Sequence, residues 1–105
     1  MFATVHLVHP EHMIDFYRGD DQAATAKRLI ADGKYTAAKT LSFEHLDTID
    51  AIADEVFDLT NNPSRQEERD ELYGNHRRSL SVGDIVAVGG EALVCCSFGW
   101  KPVEM

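Results

Sequence analysis

No apolar run in this chain approaches the ~18 residues that a membrane-spanning helix requires. The first ten residues, MFATVHLVHP, lack both a basic start and a long apolar stretch, so no secretory signal is read there and a cytoplasmic location is expected. Cysteine is scarce. The two present, Cys95 and Cys96, are adjacent, and neighbouring strand side chains point to opposite faces, which disfavours a bond between them. The spacings CxxC, HExxH and G-x-S-x-G do not occur. Gly83, Gly89 and Gly90 match neither a Walker loop nor a dinucleotide fingerprint. Basic residues are few, with 10 Lys and Arg against 18 Asp and Glu. The net charge of −8 disfavours direct contact with a nucleic-acid backbone. It suits a partner with a basic surface.

The 105 residues suffice for one domain with a real core, and an apolar fraction of 44% fits a globular chain. The stretch from Arg78 to Trp100 organises it. Two apolar runs, Asp84 to Val88 and Glu91 to Ser97, flank Gly89-Gly90, a two-residue hairpin signal. Pairing through that turn places Val86, Val88, Leu93 and Cys95 on one face. Ile85, Ala87, Ala92, Val94 and Cys96 fall on the other. Both faces are apolar, so the hairpin is expected to be covered on both sides.

Elsewhere, Phe2 to Val8 reads as a strand closed by Pro10. Asp20-Asp21 starts a helix over Gln22 to Ala31, which Gly33 ends. Tyr35 to Phe43 alternates as a strand. Leu46 to Thr60 reads as the clearest helix, with Leu46, Ile49, Ile52, Ala53, Val56, Phe57 and Thr60 in its apolar stripe and Asp47 at its cap. Asn61-Asn62-Pro63-Ser64 stops it. Arg65 to Arg78 is polar and reads as a mobile connection with a short helix over Gln66 to Tyr73. The expected architecture is α+β: a single domain over residues 1–105, with one antiparallel sheet of three or four strands and two or three helices packed on it.

Candidate functional residues fall into two groups. The acids Asp47, Asp50, Asp54, Glu55 and Asp58 lie off the apolar stripe, and no lysine or arginine occurs from Glu44 through Pro63. They form either a solvated face or a docking face for a basic partner. Phe98 and Trp100, around Gly99, are either core aromatics or a binding hot spot. A structural role is expected for Ser79, Ser81, Gly83 and Asp84 where the chain enters the hairpin, and for Ser97 and Gly99 where it leaves. The Asp84 carboxylate is expected to accept turn amides, worth about 1 kcal/mol. His6, His9 and His12 have a metal-like spacing, but a strand followed by Pro10 does not align them; no metal or cofactor is expected.

The run Ser79-Leu80-Ser81-Val82-Gly83-Asp84-Ile85-Val86, followed by Ser97-Phe98-Gly99-Trp100, resembles the YodL-like family. These are small domains of bacteria, phages and plasmids whose signature looks like S-L-S-V-S-D-V-[IV] followed by D-S-F-G-F. The resemblance covers roughly residues 35–100. Gly83 stands in place of a serine, Cys96 in place of an acid, and Trp100 in place of phenylalanine. The resemblance implies an accessory interaction module carried by a phage or plasmid, without catalytic residues, that modulates a host protein such as a defence or cytoskeletal factor. Two other classes are weighed beside it. One is an acidic decoy that imitates nucleic acid. The other is a small hydrolase or ligand-binding domain, for which a deep pocket lined by His76, Arg78 and Asp84 would speak.

Overall fold

The computed structural model describes residues 1–105. The Gly89-Gly90 turn joins β3 (Ile85–Val88) to β4 (Glu91–Cys95). Gly89 alone of the pair takes a positive φ, 61°, as a type II′ turn requires at its first central position. The register Ile85 opposite Val94 and Val86 opposite Leu93 sends alternate side chains to opposite faces. Both faces are buried, as the pattern predicts.

The first strand, β1 (Phe2–Val8), lies beside β3, and β2 (Tyr35–Ser42) lies outside β1. On the other side of the hairpin, β5 (Trp100–Val103) pairs with β4. The sheet is therefore five-stranded in the order β2-β1-β3-β4-β5, with every neighbouring pair antiparallel. The α+β class holds, with one strand and one helix more than expected: five strands and four α-helices. Pro102 hides β5 in the sequence; it is tolerated because β5 is an edge.

Helices cover both faces. On one side, α1 (Asp15–Arg18) and α2 (Gln22–Ala31) bring Phe16, Ala26 and Leu29 onto Ile85, Val94 and Cys96. Asp21 caps α2 by accepting the Ala24 amide at 3.0 Å. On the other side, α3 (Ile49–Asn61) sets Ile52, Ala53, Val56 and Leu59 against Ala3, Val5, Val86 and Leu93. Each fully buried Ile, Val or Leu in that stripe contributes about 2 kcal/mol.

Two boundaries and the packing of two apolar residues differ from the sequence reading. α3 begins at Ile49, because the Thr48 hydroxyl accepts the Ala51 amide at 3.2 Å and takes the capping role expected of Asp47. Leu46 packs on the core from the preceding loop, and Phe57 is 38% exposed instead of buried. β4 stops at Cys95, and Ser97-Phe98-Gly99 turn the chain into β5, with Gly99 at φ 81°.

The polar connection is not a loose one. Its helix α4 (Gln66–Leu72) ends at Tyr73, which is wholly buried, and Arg69 holds the following segment. Arg69 donates to the carbonyls of Thr60, Gly74 and Arg77 at 3.2, 2.9 and 2.6 Å. Its guanidinium also stands 5.3 Å from the Tyr73 ring centroid. No helix in the fold is long and apolar enough to cross a membrane.

Two groups in the sheet give measurable consequences. Burial, with smaller contributions from the charges of Asp84 and Cys96, pushes the Cys95 thiol up to about 12, and burial likewise raises Cys96. Neither cysteine should react with an alkylating reagent at about pH 8 in the native protein, and both should react in denaturant. Rapid native labelling seen by mass spectrometry would contradict this packing. Burial also lowers His6 from its ordinary value of 6.5, so the unfolded chain binds the proton more readily. Stability is therefore lost as pH falls from 6.5 through the lowered folded value. His6→Gln should flatten the fall in melting temperature between about pH 7 and pH 5.

Candidate functional site

The segment that enters the hairpin is built around Asp84. Its side chain is fully buried, with 0% exposure. One oxygen accepts the Val8 amide at 2.9 Å and an Arg78 Nη at 2.7 Å. The other accepts the Ser81 amide at 2.8 Å and the second Arg78 Nη. Arg78 also donates to the Val8 carbonyl at 2.7 Å, and the hydrogen bonds it gives to Asp84 raise the Arg78 pKa. This bidentate pair is stronger than the turn cap expected from sequence, because it joins β1 to the start of β3 across the core.

The other motif residues serve the same joint. Ser79 donates to the Thr60 carbonyl at 2.6 Å. The Ser81 amide is used, while its buried hydroxyl has no partner. Gly83 has φ 100°, and a Cβ there would come within 2.6 Å of the Phe16 ring. Phe16 therefore requires glycine at this position. Tyr35 donates to the Gly83 carbonyl at 2.7 Å, and burial, then the Asp84 charge, raises its pKa.

The acids of α3 share the face opposite its buried stripe, with Asp54 between Asp50 and Asp58 at four-residue spacing, but they divide by partner. Arg65 pairs with Glu55, with Asp58 at 2.8 Å and with Glu68 at 2.8 Å. These hydrogen bonds, Glu68 first, raise the Arg65 pKa. Glu55 and Asp58 are thus neutralised within the chain by a residue just past the helix. Asp54 accepts the Trp100 Nε1 hydrogen at 3.0 Å. Asp47 and Asp50 are exposed and, like Asp54, form no ion pair.

Phe98 and Trp100 part company as well. Trp100 is half-buried against the α3 side of the core. Phe98 is 97% exposed at the tip of the β4–β5 turn. That turn is held by Gln22, which donates to the Ser97 hydroxyl and accepts the Ser97 amide, each at 2.9 Å. Gln22 and Arg65 carry the local geometry, yet neither stands out in sequence; Gln22 acts across a gap of 75 residues that only the fold closes, and Arg65 reaches back onto the helix it follows.

A groove of about 460 Å³ runs beside β2 and includes His76 and Arg78 in its lining. Asp84 does not face it, being sealed behind Arg78. No group of three or more His, Cys, Asp or Glu side chains could hold a metal ion, and His6, His9 and His12 are not brought together. No protein-family model, curated protein or solved structure matches this chain.

Breaking one partner of a buried pair leaves the other charge uncompensated. Asp84→Asn should therefore cost about 3 kcal/mol in chemical denaturation, more than the turn bonds alone would suggest. Arg78→Met should cost a similar amount, and the double variant should lose less than the two separately. A loss below about 1 kcal/mol for Asp84→Asn would reduce the pair to an ordinary turn contact.

Proposed function

We propose that this chain is a small acidic interaction protein, without catalytic activity, that binds and modulates a host protein. The origin on a phage or plasmid, and a defence or cytoskeletal target, are what the YodL-like resemblance adds to this reading. The observation that carries it is the flank of α3. Asp47, Asp50 and Asp54 form no ion pair there, although Arg65 takes up the neighbouring Glu55 and Asp58. Beside them stand exposed Phe57 and half-buried Trp100. Unpaired acids next to partly exposed aromatics suit a basic surface. The charge speeds encounter, and the rings supply apolar area to bury.

Arg65 within the acidic band breaks the continuous charge that a nucleic-acid decoy would present, which favours a protein partner over mimicry. The burial of Asp84 away from the groove likewise speaks against a hydrolase or ligand pocket built on His76, Arg78 and Asp84.

The test uses Asp47→Lys with Asp50→Lys, leaving Asp54 on Trp100 and Asp58 on Arg65. A partner captured from host lysate by the wild-type protein is purified and its association followed over a salt series. The paired reversal should slow association by roughly tenfold or more and abolish its salt dependence, with the melting temperature unchanged. Equal association rates for both proteins at every salt concentration would leave this flank a solvated surface.

A further inference from the structure

The grooves of this surface differ in charge. Lys27 lines one beside α2 and β5, but Asp21 and Glu104 line it too. Lys101 lines another together with Asp20. Arg65 lines two more, each with Glu68. The groove of about 460 Å³ is different. It lies between the strands β1 and β2, through Leu7, Val8, Ala37 and Ala38, and the loop after α4, through His76 and Arg77, and none of its ten lining residues is an acid.

One charge in this groove is unspent. Arg78 is matched by Asp84, and His9 stands 4.0 Å from the Glu11 carboxylate. Arg77 forms no ion pair. Its side chain gives one Nη1 hydrogen to the Tyr73 carbonyl at 2.9 Å and makes no other bond in the chain. That leaves Nε and Nη2, which carry the parallel N–H pair by which a guanidinium takes both oxygens of a carboxylate. The wall behind it is braced. Arg69 donates to the Arg77 carbonyl at 2.6 Å, and the Tyr73 hydroxyl donates to the Arg78 carbonyl at 2.9 Å.

We propose that this groove binds an organic monoanion, a carboxylate on a compact apolar body, with the carboxylate on Arg77 and the body along Leu7, Ala37 and Ala38. One free cation suits one negative charge, whereas a phosphate monoester brings nearly two. The volume falls within the range of about 300–1,000 Å³ usual for small-molecule sites. The missing acid matters as much as the cation, because a carboxylate in the wall would repel the ligand at short range. Asp84 supplies no such repulsion, being buried with its charge already met by Arg78. No lining residue belongs to α3, so this site is separate from the flank that carries the protein partner.

The test is an NMR titration of the labelled full chain with benzoate. Benzamide has the same shape without the charge, and acetate has the charge without the ring. Benzoate should shift the amides of Leu7, Ala37, Ala38 and Arg77 with a Kd of about 1 mM. Both controls should bind at least about tenfold more weakly, and Arg77→Gln should weaken benzoate to a similar degree. Ala37 is exposed and has no polar side-chain atom, so a charge placed there reads the electrostatics even where Arg77→Gln loosens its loop. Ala37→Glu should weaken benzoate several-fold, and Ala37→Lys should tighten it. The proposal is overturned by equal binding of benzoate and benzamide, by equal binding of benzoate and acetate, by shifts centred on Lys27 or Lys101 instead, or by no response up to about 10 mM.

Discussion

The Arg78–Asp84 pair is the contact on which the rest of this structure depends. Two charges removed from water are expensive unless nearly every donor and acceptor finds a partner. Here the carboxylate takes two amides and two guanidinium hydrogens, and the guanidinium also holds the Val8 carbonyl. Those demands can be met together only when the end of β1, the start of β3 and the loop after α4 stand in one arrangement. The main chain of Asp84 adds β4, by accepting the Cys95 amide at 2.8 Å. Apolar burial makes the sheet compact. The buried pair makes one register better than a slipped one, because a one-residue slip would strand a charge as well as turn the strand faces over.

What could be read from sequence was mostly local. Strict alternation across Gly89-Gly90 assigned both faces of the hairpin, because a two-residue turn leaves only one pairing. The Asp21 cap and Gly33 bounded α2 for the same reason: the determinants lie within a few residues of what they determine. The unreadable parts were long-range. Pro102 made β5 look like loop, since edge status depends on what lies beyond a strand. The segment after α4 looked mobile because its polar residues suggest solvent, whereas Arg69 and Tyr73 turn inward to satisfy carbonyls and fill the core. Within the candidate site, the acids of α3 were visible but their division into paired and unpaired members was not. That division depends on where Arg65 and Trp100 come to rest.

The position of β1 has an implication for how the chain reaches this state. Its seven residues are near the beginning of the sequence, yet they sit between β2 and β3, and β3 starts at Ile85. Ala3 must therefore find Val88 across most of the polypeptide. Closing so large a loop is entropically costly before any contact rewards it, and chains of high contact order fold slowly. During synthesis β1 and β2 can pair early, but one side of β1 stays open until the final third has left the ribosome. The joint that secures the finished molecule is thus among the last that a growing chain can make.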